Sequence, residues 1–163
     1  MSNRTLSDRG KMLLGSLEGV RTTAYQDVAG LWTIGVGHLL TRDELSSGKV
    51  WIAGQPVRWE LGLTDAQVAA LLAQDIAPVE QAVSVLVRVP ISQNQFDALV
   101  IFAFNVGREA FAKSSLLRRL NDGKPAEVPG QLQRWIYAAG QPVAGLRARR
   151  AAEARLWSEG AAV

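Results

Sequence analysis

The pattern of apolar residues changes at Thr64, and this change limits the folds open to the chain more than any other feature. Before it, the segment from Thr22 to His38 has strand-forming residues on both sides of an Ala29-Gly30 turn signal, which predicts a β-hairpin. After it, apolar residues recur at helical spacing. Because strands and helices do not alternate, no parallel sheet is expected. The sequence predicts an α+β fold, with a small β region followed by helices.

Capping signals place the predicted helices. The first helix is expected to end around Leu17 or Glu18, and Thr64 to Gln67 form a capping box that begins a helix which Pro78 ends or kinks. A second box, Ser92 to Gln95, begins an apolar helix that stops at Gly107. Further helices are predicted over Ser114 to Asn121, Gln131 to Ala138, and Gly145 to Trp157.

The length of 163 residues fits one domain. We expect two lobes within it, residues 1–62 and 80–163, joined by a helix over residues 64–78. The segment Leu39 to Gly62 is predicted to be mostly loop or an extension of the small sheet, with Val50-Trp51-Ile52 as its one strand candidate.

Composition excludes several kinds of chemistry. The chain has no cysteine and one histidine, His38, which excludes disulfides, thiolate metal sites, a cysteine nucleophile and zinc motifs that need two histidines. We therefore expect neither a metal nor a cofactor, and a chemistry of carboxylates, hydroxyls and lysine.

Charge is unevenly distributed. From Arg108 to Val163 the chain has 10 basic and 5 acidic residues, a net charge of +5, which suits a polyanionic partner: nucleic acid, an anionic cell wall or a membrane surface. The arginines near the C-terminus also have apolar neighbours at helical spacing, which indicates the solvated face of a helix, and no nucleic-acid partner is expected. Seven charged residues among the first thirty argue against a signal peptide or a stable membrane anchor, so we expect a cytoplasmic protein.

Three polar residues around the predicted hairpin form a candidate site: Glu18, Asp27 and Thr33. A three-residue loop over residues 29–31 would pair Asp27 with Thr33 on one face. The helix end and apolar neighbours favour the protonated form of Glu18, whereas Asp27 beside a polar turn is expected to stay ionised. A neutral acid near an ionised base is what glycosidic cleavage requires.

Each of these residues also has a structural interpretation. Glu18 could be an exposed residue at a helix end, Asp27 a turn former, and Thr33 a residue that favours strands. Spacing alone does not choose between the two interpretations.

The identities and spacing of Glu18, Asp27 and Thr33, followed by Ile34-Gly35-Val36-Gly37-His38, resemble the motif of phage lysozymes of the T-even and lambdoid type. The resemblance extends to a long helix from Leu63 to Val83, to Phe104-Asn105-Val106-Gly107, and to Gly145-Leu146 with Arg149-Arg150-Ala151-Ala152-Glu153. Residues 42–62 are the part it does not cover.

The resemblance implies a lysozyme-like fold and hydrolysis, with inversion, of the β-1,4 bond between N-acetylmuramic acid and N-acetylglucosamine in peptidoglycan. Glu18 would be the general acid, Asp27 would hold and activate the water, and Thr33 would orient it. Positions that line the family's saccharide cleft are matched by Leu39, Phe104, Asn105 and Ser114, with Ser115 as an alternative to Ser114.

The resemblance also implies a structural ion pair between His38 and Asp75 rather than a catalytic histidine. It implies a monomer that needs no cofactor and that stays in the host bacterial cytoplasm until a holin opens a path to the periplasm and cell wall. Two alternatives remain: a lytic transglycosylase, which would need no water-holding Asp27 and Thr33, and a wall-binding protein without activity.

Overall fold

The computed structural model describes residues 4–159. The described chain forms two compact units: residues 12–78, called here the sheet unit, and residues 4–11 with 79–159, called the helical unit. The predicted α+β class is confirmed. None of the described helices has the length and hydropathy that crossing a bilayer requires.

The sheet unit is built on an antiparallel sheet that follows the first helix. Helix α1 (Asp8–Glu18) ends where predicted, and the sheet has the strand order β1-β2-β3. Its strands are β1 (Arg21–Gln26), β2 (Trp32–Gly35) and β3 (His38–Leu39).

The segment after this sheet is more ordered than predicted. It contains helix α2 (Arg42–Ser47) and a second hairpin of β4 (Lys49–Ile52) and β5 (Gln55–Arg58). The predicted Val50-Trp51-Ile52 strand is confirmed, but the expectation that most of the segment is loop is wrong. The capping box from Thr41 to Glu44 begins α2, and Ala53 and Gly54, both with positive φ, make a two-residue turn.

Helix α3 (Asp65–Leu86) begins at the predicted Thr64 box, where Thr64 and Gln67 exchange hydrogen bonds. The expected end at residue 78 is wrong, because the helix continues through Pro78. Proline removes the bond to the carbonyl of Gln74, but both residues are exposed, so water can solvate that carbonyl. The buried Ile76 and Val79 continue the apolar stripe across the proline.

The helical unit surrounds one apolar helix. Helix α4 (Gln93–Val106) starts at the predicted Ser92 box and is buried on every side from Phe96 to Ala103, as expected for a core helix. It packs most extensively on α8, the last helix. The other helices of this unit are α5 (Arg108–Lys113), α6 (Ser115–Asn121), α7 (Val128–Leu132) and α8 (Ala144–Glu159).

A small hairpin interrupts the helices after α7. Strands β6 (Tyr137–Ala138) and β7 (Gln141–Pro142) pair across a turn of Ala139 and Gly140, which both have positive φ. The predicted helix from Gln131 to Ala138 is therefore wrong. The two-residue turn matches the twist of paired strands and cannot continue a right-handed helix.

The first described residues pack with the helical unit rather than with the predicted first lobe. The Leu6 N–H donates to Glu80 Oε2 (2.5 Å), and Ser7 donates N–H and O–H bonds to the buried carboxylate of Asp97. Asp97 also lies where a β-carbon on Gly10 would be placed. These bonds explain why residues 4–11 separate from the rest of the predicted lobe, although the division at residue 78 lies close to the predicted one.

Candidate active site

Glu18 is the last residue of α1, and its carboxyl group lies against the turn between β2 and β3. A β-carbon on Gly37, in that turn, would lie 3.0 Å from Glu18 Oε2 and 3.2 Å from Glu18 Cδ. Gly37 also has a φ of +67°, where any side chain is strained. Backbone geometry and the half-buried Glu18 carboxyl group therefore both require glycine here.

Asp27 stabilises the loop between β1 and β2. Its Oδ1 accepts hydrogen bonds from the N–H groups of Ala29 and Leu31, both at 2.9 Å. Backbone bonds close the same loop, from Asp27 N–H to Leu31 C=O and from Gly30 N–H to Asp27 C=O. One carboxylate oxygen is thus committed to the loop, while Oδ2 has no hydrogen-bond partner among residues 4–159.

The register of this hairpin differs from the predicted one by two residues. Thr33 pairs with Tyr25, so the prediction that Asp27 pairs with Thr33 is wrong, and Asp27 lies opposite Leu31. The loop comprises residues 28–30 instead of 29–31, because Gly30, with φ of +79°, takes the left-handed position that ends such a loop. Since side chains alternate with a period of two, Asp27 and Thr33 still share a face, as diagonal neighbours.

Thr33 is connected to Asp27 through Leu31. The Thr33 side chain is buried, and its hydroxyl donates to the C=O of Leu31 at 3.0 Å, while the N–H of Leu31 donates to Asp27. On the other side of β2, Thr33 pairs with Leu39 in β3. The structure therefore brings Asp27, Thr33 and the exposed Leu39 together on one face of the sheet.

Glu18 and Asp27 approach β2 from its two ends. Asp27 bonds to Leu31 just before the strand, whereas Glu18 lies at Gly37 just after it. Thr33 lies between these two points, so the three predicted catalytic residues are distributed along one short strand.

His38, at the start of β3, lies between two carboxylates. Its Nδ1 is 2.7 Å from Asp75 Oδ2 on α3, and its Nε2 is 3.0 Å from Glu44 Oε1 on α2. Glu44 also completes the capping box with Thr41, and its backbone carbonyl accepts a bond from Trp59 Nε1. The predicted contact between His38 and Asp75 is confirmed, and Glu44 is a second partner that was not predicted.

The two carboxylates determine the charge of His38. Burial alone would lower the pKa of His38, but hydrogen bonds and charge interactions with Asp75 and Glu44 outweigh burial and raise the pKa from 6.5 to about 9. At neutral pH the ring is therefore an imidazolium that donates both N–H groups. No ring nitrogen remains to accept a proton, which favours the predicted structural role over a catalytic one.

The remaining predicted residues lie in the helical unit. Phe104 and Asn105 occupy the last turn of α4, where Phe104 is half-buried and Asn105 is exposed. Asn105 Oδ1 accepts a hydrogen bond from Nη2 of Arg150 on α8, at 2.6 Å. Burial lowers the pKa of Arg150 from its usual value, and the neighbouring Arg149 acts in the same direction, whereas Glu153 opposes both.

Ser114 has a structural task in this unit. It is the N-cap of α6 and is buried, its hydroxyl accepts the N–H of Leu117, and it donates to the C=O of Phe111. These contacts do not fit the expectation that Ser114 binds a substrate. The hydroxyl of Ser115 is instead bonded to Gln131 and to Arg134, two more polar side chains.

Sequence reasoning missed Glu44, Arg150 and the cluster around Ser115. A signal existed for Glu44, because the box from Thr41 to Glu44 places its carboxylate close after His38 in the chain. Nothing local pairs Asn105 with Arg150, which is 45 residues away. Among the described residues, no group of three or more histidine or acidic side chains is arranged to bind a metal ion.

Comparison with known proteins is consistent with this geometry. The phage lysozyme family matches residues 15–153 of the chain. The endolysin of Acyrthosiphon pisum secondary endosymbiont phage 1 is 35% identical over 156 residues, which cover 93% of this chain and 97% of that protein. The endolysin of Salmonella phage P22 is 44% identical over 116 residues, which cover 71% of this chain and 73% of that protein.

Solved structures give the same result. A P22 lysozyme variant superimposes with a TM-score of 0.78 at 37% identity, covering 95% of this chain and 99% of that chain. The muramidase domain of SpmX from Asticaccaulis excentricus has a TM-score of 0.75 at 38% identity, covering 94% and 97% of the two chains. The chain described here belongs to the phage lysozyme family.

Proposed function

We propose that this protein hydrolyses the β-1,4 bond between N-acetylmuramic acid and N-acetylglucosamine in peptidoglycan, with inversion, and so lyses the bacterial host of a phage. The observation that carries the proposal is the joint anchoring of Asp27 and Thr33 on Leu31, with Glu18 at the other end of β2. The names endolysin and muramidase that its relatives carry support the same activity.

Asp27 and Thr33 have the atoms needed to hold a water molecule. Asp27 Oδ2 makes no hydrogen bond to the loop. The Thr33 hydroxyl donates its one hydrogen to the C=O of Leu31, so the lone pairs of Thr33 Oγ1 remain as acceptors. A water that donates one hydrogen to each oxygen is oriented for attack, and Asp27 takes its proton as the general base.

Glu18 supplies the proton for the leaving oxygen. Its approach from the opposite end of β2 leaves space for a sugar ring and a water between the two carboxyl groups. Inverting glycosidases separate these groups by about 6.5–9.5 Å, compared with about 5 Å in retaining ones. A separation in the inverting range would disfavour direct attack by Asp27 on the sugar.

Residues outside this strand would bind the glycan. We propose that Leu39, which neighbours Thr33, contacts the sugar near the reacting bond, and that Phe104 and Asn105 contribute further contacts. Ser115 replaces Ser114 in this proposal, because the Ser114 hydroxyl is buried and committed to capping α6.

Product analysis tests the reaction. Purified peptidoglycan should yield new reducing ends, first as the α-anomer in proton NMR, because inversion of a β-linkage gives that anomer. Products with 1,6-anhydro ends would instead identify a lytic transglycosylase, and binding without products would identify a wall-binding protein.

Two isosteric substitutions test the assigned residues. Glu18→Gln should abolish hydrolysis because the transferable proton is lost. Asp27→Asn is a matched test, since the amide oxygen can still accept the N–H bonds of Ala29 and Leu31 while its nitrogen cannot accept a proton from water. Activity within tenfold of the parent in either variant would remove that residue from the mechanism.

We further propose that the protein acts as a monomer and reaches the wall from the host cytoplasm through a membrane lesion made by a holin. The basic C-terminal third, which suits an anionic wall, supports the last step of this route. Expression in a Gram-negative cell should cause lysis only after a membrane-permeabilising agent is added. Prompt lysis without that agent would show that the protein has its own export route.

A further inference from the structure

Asn105 is joined to a buried cation in the helical unit. It is exposed in the last turn of α4, and its Oδ1 accepts a hydrogen bond of 2.6 Å from Nη2 of Arg150. Arg150, on α8, has no exposed surface. A surface amide is thus bonded directly to a guanidinium group in the protein interior.

Other residues hold this guanidinium in place. Glu153, which is also fully buried, accepts a bond from Arg150 Nη2 at 3.1 Å and lies 2.8 Å from Arg150 Nε. The charged group also lies 5.0 Å from the ring centroid of Phe102, within the range of a cation–π interaction. The position of Arg150 therefore does not depend on Asn105.

The chemistry of arginine determines which way the amide faces. A guanidinium has only donors, so it can bond the oxygen of Asn105 and not its NH₂ group. Rotation of the amide by 180° would place two donors against each other. The Asn105 Nδ2 is consequently directed away from Arg150, and it has no hydrogen-bond partner among residues 4–159.

Helix packing alone does not account for this arrangement. Replacing a buried ion pair with apolar residues of similar volume is often neutral or stabilising. A buried cation that reaches an exposed amide is therefore explained better by what the amide does at the surface.

We propose that Arg150 is a positioning residue that fixes the Asn105 amide with its NH₂ group outward, as a hydrogen-bond donor to an acceptor oxygen of the glycan such as an N-acetyl carbonyl. This inference rests on the proposed function, because it takes the bound molecule to be a peptidoglycan glycan strand. It adds the requirement that the amide has one orientation, which the residue types alone do not predict.

Asn105→Asp tests the donor directly. The carboxylate has the same shape and can still bond Arg150, but it has no N–H. With purified, uncross-linked glycan strands and the inactive Glu18→Gln protein, calorimetry should show binding about tenfold weaker, the usual effect of losing one buried hydrogen bond. The melting temperature should not fall, since an aspartate oxygen can still accept the hydrogen bond from Arg150 and adds an opposite charge beside it. Unchanged binding would overturn the proposal.

A double-mutant cycle tests the positioning role. Arg150→Lys should weaken glycan binding in the parent but have no further effect on binding in the Asn105→Ala background, whereas a loss of melting temperature should remain in both, because Glu153 and Phe102 also contact Arg150. Arg155→Lys, at an exposed site on the same helix, is the control and should change neither measurement. Equal losses of binding in both backgrounds would show that Arg150 is only structural. If Arg150→Lys does not fold, the Asn105→Asp result decides.

The activity of the parent protein distinguishes a failure of the proposed function from a failure of the positioning role. If it releases no products from peptidoglycan, the proposed function fails. If it does, and Asn105→Asp binds glycan as tightly as the parent, the proposed function stands and only the positioning of Asn105 is refuted.

Discussion

Stability of the sheet unit should depend on the protonation of His38, and Asp75→Asn should remove most of that dependence. The imidazolium donates to Asp75 at 2.7 Å and to Glu44 at 3.0 Å, and its pKa is about 9 compared with 6.5 for an unperturbed histidine. Because the folded-state pKa is raised, the free energy of unfolding gains its full contribution below pH 6.5. This contribution is lost as the pH rises from 6.5 through 9.

The pKa values give the size of the effect. A pKa difference from 6.5 to about 9 corresponds to about 3 kcal/mol before solvent screening, at 1.36 kcal/mol per pKa unit. The side chains of Asp75 and Glu44 are 22% and 17% exposed, so solvent screens part of this interaction. We expect about 1–2 kcal/mol in practice.

Urea unfolding between pH 5.5 and 9.5 measures this contribution. Parent and Asp75→Asn should differ most at low pH and converge above pH 9, and taking their difference cancels other groups that titrate in the same range. Glu44→Gln is a second, milder variant, because glutamine can preserve the capping box with Thr41 while removing the charge next to His38.

NMR provides an independent measurement, since His38 is the only histidine and its ring signals are unambiguous. A parent His38 that titrates at or below 6.5 would refute the reasoning. So would a parent and an Asp75→Asn variant whose stability curves stay parallel from pH 6.5 to 9.

Two further predictions concern positions with positive φ. Gly37→Ala and Gly54→Ala should each destabilise the fold by about 1 kcal/mol, from backbone strain. Only Gly37→Ala should also impair hydrolysis, because only that β-carbon would meet Glu18. Equal activity of the two variants would contradict the placement of Glu18. Ala53→Asn should increase the free energy of unfolding by roughly 0.5 kcal/mol and so raise the melting temperature, because asparagine tolerates the φ of +51° better than alanine. Ala29→Asn, where φ is not positive, is its control and should give no such gain.

The sequence predicted most elements because their signals are local. The boxes at Thr64 and Ser92 marked the starts of α3 and α4 correctly, since a capping box is complete within four residues. Pro78 misled the prediction because its cost depends on whether the freed carbonyl is exposed, which is a property of the folded chain.

The hairpins show a second limit of prediction from sequence, namely that the same dipeptide can form different turns. Three Ala-Gly pairs occur in turns, at residues 29–30, 53–54 and 139–140. In the last two, alanine also has positive φ and the turn has two residues, whereas Ala29 belongs to a three-residue loop. The dipeptide is the same in each case, so the flanking strands and, at Asp27, the carboxylate bonds to the loop decide between the two geometries.

The error in the predicted register does not change which residues share the face of the candidate site. The observed pairing differs from the predicted one by two residues, and a shift of two returns every side chain to its original face. A shift of one would have directed Thr33 to the opposite face from Asp27. Leu31 prevents that shift, because its N–H bonds to Asp27 and its C=O accepts the hydroxyl of Thr33. The residues proposed to hold the water are therefore also the residues that define the loop, so the geometry of the reaction and the folding of the hairpin depend on the same hydrogen bonds.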